Sequence, residues 1–185
     1  MYIIRKSKIM SIKAVLVDFD QTLFDTKQAR QLWHQDKPDW NRIISYVPHF
    51  RLYNGWRWVL SFFDNMPWGI VSRNVKQLIS PTLQRNGLKF NPVITRYGEN
   101  GRERVSLSKT ALFEQALKHT EFADLKREEV LFVGDQATDV IQANSFGFLS
   151  AAAYWGTLEP DKLAQTQPTF RLSTPLDLFN VLLNN

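Results

Sequence analysis

The sequence predicts an α/β fold: a three-layer, Rossmann-like arrangement in which a central parallel sheet is covered by helices on both faces. Two observations predict it. Short, continuously apolar runs (Ala14-Val-Leu-Val17, Trp68-Gly-Ile-Val71, Val130-Leu-Phe-Val133) alternate with segments of helical periodicity, the pattern of strands buried on both faces. The same runs end abruptly in polar or acidic residues, at the carboxyl ends of strands, where open α/β sheets bind their ligands. With 185 residues and 44% hydrophobic content, the chain suffices for one cored domain carrying a small insert.

Residues 13–17 read as the first strand, and Asp18-Phe-Asp20 follows at once. Residues 25–37 read as a helix, with Ala29, Leu32 and Trp33 on one face. Pro38-Asp39 breaks it and starts a second short helix with Trp40, Ile43, Ile44 and Val47 as its stripe, ended by Pro48. Asn54-Gly55 is a turn or cap before a helix over 56–63. Asp64-Asn-Met-Pro67 is a turn, and residues 68–72 form the second core strand, ending in Ser72-Arg-Asn74. A helix follows from Val75; Pro81 marks a break or a second start in it, and Asn86-Gly87 a stop. Residues 92–95 form a weaker strand, Glu99-Asn-Gly101 a turn, and residues 102–106 a polar loop or hairpin arm. Ser108 caps a helix over 109–119. Residues 130–133 are a strand, 137–146 a helix stopped by Gly147, and 148–154 a strand. A short helix over 159–165, a last strand over 169–172 and a helix over 175–183 with Pro175 in its first turn complete the chain.

Composition narrows the chemistry. There is no cysteine, hence no disulfide, thiolate zinc site or cysteine nucleophile, which fits a cytoplasmic setting. No apolar run has the length of a bilayer span. The net charge of +5 is partly carried by Arg5, Lys6 and Lys8, in an N-terminal tail over 1–11 that is read as solvated rather than as a nucleic-acid arm. His34, His49 and His119 have no ligand spacing and are read as structural or exposed.

Asp18 and Asp20 stand two positions apart where a strand ends. Residues i and i+2 of a strand face the same side, so the two carboxylates should repel and one should have a raised pKa unless a cation lies between them. Such a pair serves as nucleophile and proton donor, as a metal site, or as both. Asp135 ends another strand, and Asp139 lies one helical turn further on. Several acidic oxygens without His or Cys suit a hard divalent cation, Mg2+ above all, and such an ion favours a phosphate ligand. Lys109 sits at a helix start, where the macrodipole disfavours a cation, and is read as held there for an anion. Alone, Asp18-Phe-Asp20 also reads as a helix cap or a calcium-like loop, and Asp135 after Gly134 as a helix start. Their fixed order on successive strand ends weighs against that.

Asp18-Phe-Asp20-Gln-Thr22 resembles the DxDxT motif of the haloacid dehalogenase-like (HAD) hydrolases. Ile70-Val-Ser72 is similar to their second motif, Lys109 to the third, and Gly134-Asp135-Gln-Ala-Thr-Asp139 to the fourth, GDxxxD. The order matches from residue 12 to about 156, and the tail from Tyr154 resembles the phosphoglycolate phosphatase-like branch. The resemblance implies a magnesium-dependent phosphatase. Asp18 would attack phosphorus and form an aspartyl-phosphate, and Asp20 would serve as acid and then base. Asp18, the Asp20 carbonyl, Asp135 and Asp139 would hold the metal, and Ser72 and Lys109 the phosphoryl oxygens. Family members that act on carbon–halogen bonds or pump ions lack an acid at the place of Asp20, so its presence favours a phosphatase. Two departures stand out. Arg73 occupies the place where many relatives carry Asn, and either contacts phosphate or faces solvent; Ser108-Lys109-Thr110 lacks the Lys-Pro pair common in the phosphoglycolate-like branch.

The core domain, 12–185, is interrupted by 26–53, read as a reduced helical cap. A short cap implies an open site, suited to a large substrate or to a partner subunit acting as lid; oligomers are compatible with it. Trp33, Trp40, Trp56 and Trp58 are read as packing residues rather than as a binding surface. The alternatives to a phosphatase acting on a phosphorylated substrate are a weakly catalytic binding module of the same fold and a phosphomutase; the insert is small for the latter.

Overall fold

In the computed structural model, residues 11–33, 39–96 and 108–185 are described. The N-terminal tail before residue 11, His34 and the turn and hairpin arm read over 99–106 lie outside them, as do the side chains of Trp33 and Trp40. The elements are β1 (Ala14–Val17), β2 (Phe24–Asp25), α1 (Lys27–Trp33), α2 (Trp40–Ser45), β3 (Arg51–Leu52), α3 (Trp56–Phe62), β4 (Trp68–Ser72), α4 (Lys76–Arg85), β5 (Val93–Thr95), α5 (Lys109–Leu117), β6 (Val130–Gly134), α6 (Ala137–Phe146), β7 (Leu149–Ala153), α7 (Pro160–Ala164), β8 (Phe170–Leu172) and α8 (Pro175–Leu183), with 3-10 turns at Val47–His49 and Arg127–Glu129.

Six strands form a parallel sheet in the order β5-β4-β1-β6-β7-β8. The apolar runs become its centre for a simple reason. Alternate residues of each run serve opposite cores. Val15, Val17, Ile70, Leu131 and Val133 enter one cluster with residues of the insert, α3, α4 and α8. Ala14, Leu16, Val71, Val130 and Phe132 enter the other with α5 and α6. A strand that feeds two cores must be apolar at every position. The chain goes out to β4 and β5 on one side of β1 and returns to β6, β7 and β8 on the other. This reversal is the switch point at which such sheets open a crevice.

The helices follow local signals. Ser108 caps α5 by accepting from the Ala111 N–H at 3.2 Å. Gly147 ends α6 at φ 92°, a left-handed turn natural to glycine. α4 differs from the sequence reading: it runs unbroken through Pro81. Burial of Leu78, Ile79, Thr82 and Leu83 on both sides of the proline offsets the helix hydrogen bond that proline cannot donate.

Two further strands were not expected. β2 and β3 pair antiparallel, Phe24 opposite Leu52 and Asp25 opposite Arg51. They bring together the two ends of the segment 26–53 read as an insert, whose described helices are α1 and α2. The helix read up to Val47 stops at Ser45, and Val47 instead opens a 3-10 turn. Trp56 is a core residue, edge-on to Trp68 and Trp155 at 6.2 and 6.1 Å between ring centroids. Trp58 differs: it is 51% exposed and lies against Phe179 of α8. His49 is exposed. Among the described residues no helix is long and apolar enough to cross a membrane.

Candidate active site

β1 and β6 deliver their acidic ends side by side, because Val17 pairs with Val133 and the Asp18 N–H donates to the Val133 carbonyl at 2.9 Å. On the other flank Val17 pairs with Ile70, so Ser72 of β4 ends beside the same crevice. Regular β1 stops at Val17. Beyond it the chain turns, with Phe24 N–H returning to the Phe19 carbonyl at 3.0 Å. The turn, rather than strand pleating, therefore directs Asp18 and Asp20 to different partners.

Asp18 is buried. One carboxylate oxygen accepts from the Phe19 N–H at 2.8 Å and the other from Lys109 Nζ at 2.8 Å. Lys109 also donates to Asp139 Oδ1 at 2.7 Å and is itself 3% exposed. Asp139 Oδ2 accepts from the Gln136 N–H at 3.2 Å, so this residue caps α6 as well. Asp135 accepts from Thr22 Oγ1 at 3.2 Å. Asp18, Asp135 and Asp139 each offer an oxygen within 4.8 Å of the others. Gly134 is obligatory here: a β-carbon on it would come within 2.6 Å of the Asp139 side chain.

Asp20 stands apart from this trio. Its Oδ1 accepts from Thr26 Oγ1 at 2.8 Å, and Asn74 Nδ2 donates to Oδ2 at 3.0 Å. Asn74 is the functional-site residue that the sequence reading missed. It is buried, its N–H donates to Ser72 Oγ at 3.1 Å, and its own Oδ1 accepts from the Val75 N–H at 2.8 Å at the start of α4. The signal was the shift of Asn by one position after Ser72-Arg73. Ser72 is fully buried at the strand end. Arg73 is exposed and donates to Gln136 Oε1 at 2.7 Å across the mouth of the crevice.

The electrostatics express an excess of negative charge. Burial, and then the charge of Asp18, push Asp20 up to about 7, while bonds from Thr26 and Asn74 pull it back. Burial, and then Asp139 and Asp18, push Asp135 up to about 8. Burial also raises Asp18; Lys109 opposes this and Asp139 reinforces it. Burial lowers Lys109, but Asp139 and Asp18 more than offset that and hold the ammonium charged. Three carboxylates, those of Asp18, Asp135 and Asp139, thus converge beside the buried Lys109 ammonium with Asp20 near them, and burial penalises every charge left unpaired. The sequence reading placed Lys109 for an anion; in the structure its ammonium is engaged by two carboxylates.

The turn is clamped from outside. The indole N–H groups of Trp56 and Trp155 both donate to the Thr22 carbonyl at 2.9 Å. Gly156 lies so close that a β-carbon on it would fall 1.5 Å from the Gln21 carbonyl oxygen. Gly156→Ala should therefore lower stability by about 3 kcal/mol or more, since backbone must move to admit it. Thermal unfolding of the variant measures this directly.

Residues 108–177 match the model of a family described as HAD-hydrolase-like. The phosphoglycolate phosphatase of Synechococcus elongatus is 30% identical over 114 residues, 62% of this chain and 50% of that protein. A haloacid dehalogenase-like hydrolase from Streptococcus pneumoniae superposes with a TM-score of 0.71 at 17% identity, covering 92% of this chain and 98% of that one. Over residues 108–177 the sequence is similar to this family, and the fold is haloacid dehalogenase-like. A HAD-hydrolase from Bacillus subtilis, bound to magnesium in its crystal structure, superposes with a TM-score of 0.67 at 14% identity over 93% of this chain and 99% of that one. At these identities the solved structures establish the HAD-like fold, and the chain spans about half the length of the curated phosphatase it matches.

Proposed function

We propose that this HAD-like protein is a phosphatase that hydrolyses a phosphate monoester through an aspartyl-phosphate on Asp18. One observation carries the reading: Asp18, Asp135 and Asp139 converge around Lys109, while Asp20 is held aside by Thr26 and Asn74 with a carboxyl near 7. A carboxylate nucleophile and a separate acid poised near neutrality are what in-line displacement at phosphorus requires. The phosphatase matched over part of its length supports the substrate class.

In this mechanism Asp18 Oδ attacks phosphorus as the bond to the leaving oxygen breaks, and Asp20 gives that oxygen its proton. Asp20, now a carboxylate, takes a proton from the incoming water. The water oxygen attacks phosphorus, the bond to Asp18 breaks, and inorganic phosphate leaves. Ser72 and Lys109 would bind phosphoryl oxygens, and Arg73 would add positive charge at the entrance. The donor set fits a hard divalent cation: oxygen ligands only, close together, and short of compensating charge. Magnesium would be held by Asp18, the Asp20 carbonyl and Asp135, with Asp139 beside it, and would neutralise charge on the phosphate. Residues 26–53 would act as a reduced cap, and the absence of cysteine fits work in the cytoplasm.

The purified protein is expected to hydrolyse para-nitrophenyl phosphate with added magnesium and to lose this activity in EDTA; EDTA-resistant turnover would refute the metal requirement. With an alkyl phosphate, whose leaving group needs a proton, kcat should fall about tenfold per pH unit above about 7 as Asp20 ionises. Asp20→Asn should remove that limb from the profile. A screen over phosphoglycolate, sugar phosphates, nucleotides and phosphopeptides then identifies the substrate.

A further inference from the structure

Gln21 lies in the turn between Asp20 and Thr22 with φ 58°. This left-handed region favours glycine, and a residue with a side chain persists there when its surroundings hold it. Gln21 is buried, and its amide lies between the two stretches of chain that enter and leave the insert. With the carbonyl oxygen facing α1, it accepts from the N–H groups of Thr26 at 3.0 Å and Lys27 at 2.9 Å, and its nitrogen donates to the Tyr53 hydroxyl at 3.0 Å. Thr26 and Lys27 open the insert; Tyr53 directly follows β3. The Tyr53 N–H is tied in turn to the Leu23 carbonyl at 3.1 Å. Both sides of the amide are thereby satisfied, as a buried amide requires.

We infer that Gln21 is a positioning residue that locks the turn carrying Asp20 to both ends of the insert. The link to chemistry is Thr26. Its N–H is held by Gln21, and its hydroxyl, 3.1 Å from the same Gln21 oxygen, lies nearer to Asp20 Oδ1 and donates to it at 2.8 Å. The aim of the Asp20 carboxylate and the seat of the insert are therefore one hydrogen-bonded unit, and the insert cannot shift without disturbing the acid. The backbone side of the lock is Gly156, packed on the Gln21 carbonyl. The inference rests on the phosphatase reading of Asp20 for its consequence, but the lock itself is testable without turnover.

Gln21→Gly separates backbone from side chain, because glycine adopts this φ freely while losing all three amide bonds. The variant is expected to fold, to lose roughly ten- to hundredfold in kcat toward an alkyl phosphate, and to keep KM within about threefold. Its Thr26 and Lys27 amides should exchange with deuterium faster than in the parent. Gln21→Glu keeps an acceptor for both N–H groups and accepts from Tyr53 Oη–H, so it should restore their protection and raise kcat above that of the glycine variant. A glycine variant with unchanged kcat, or with unchanged exchange at Thr26 and Lys27, overturns the inference. Tyr53→Phe removes the other arm without touching the turn; it should also lower kcat at constant KM, and unaltered kcat there counts against the lock even if the glycine variant does not fold. Failure of the parent protein to hydrolyse any phosphate ester refutes the phosphatase reading instead, and amide exchange still decides the lock.

Discussion

Asp18→Asn should reduce phosphatase activity by at least about 10³-fold while leaving the fold intact. The reasoning is local. Asparagine is nearly isosteric, its carbonyl oxygen can still accept from Lys109 Nζ or from the Phe19 N–H, and both are bonds that Asp18 makes now. What it lacks is a nucleophilic oxygen with a negative charge. Removing that charge also relieves its neighbours, since Asp18 raises the carboxyls of both Asp20 and Asp135. The metal-free variant should therefore unfold at a temperature equal to or above that of the parent, most visibly above neutral pH. The sign follows from linkage. A carboxyl raised by folding binds its proton more tightly in the folded state, so stability is lost as pH climbs from the ordinary carboxylate range through the raised value. Substituting the source of the repulsion returns part of that loss. Full activity in Asp18→Asn would remove this residue as nucleophile; a matched loss of activity and of folding would make the change structural. Phosphate release and thermal unfolding, measured on one preparation, separate the two.

Much of this site could be read from sequence because parallel strands advertise themselves. Ala14–Val17 and Val130–Gly134 must be apolar throughout to serve two cores, and the first acidic residue after each run marks the crevice. The strands β2 and β3 were not legible. Two residues have no period, and Phe24 finds Leu52 only through the fold. Asn74 was hidden by register: one extra residue after Ser72 still reaches Asp20, because the chain turns into α4 there and the side chain swings back. Lys109 was legible as an anomaly but not as a partner, since its ammonium meets the carboxylates of Asp18, just after β1, and of Asp139 in α6, both far from it in sequence. The left-handed backbone of Gln21 gave no sequence signal, because glutamine is not a residue that announces a positive φ.

Lys109→Met should be among the most destabilising single changes in the chain. Methionine matches the length and apolar stem of lysine and can rest on Phe132, whose ring lies 4.8 Å from the ammonium. Packing is thus largely conserved and the charge is lost. Asp18 and Asp139 then remain buried without their shared cation, and removing one partner of a buried ion pair costs about 3–5 kcal/mol. For a chain of this size that corresponds to a fall in midpoint of roughly 6–20 °C. The deficit should depend on pH in a defined direction. Without the ammonium, the carboxyl of Asp18 takes up its proton more readily in the folded state, so the variant regains stability as pH falls toward the ordinary carboxylate range and shows its full deficit above it. Magnesium should narrow the gap at neutral pH, because a cation bound by the trio supplies the charge that Lys109 no longer does. A deficit that is the same at pH 5 and pH 8, with and without magnesium, would show that Lys109 contributes by packing alone. A deficit that closes under either condition identifies the buried carboxylates as the origin of the loss and ties the stability of this fold to the charge balance of its candidate active site.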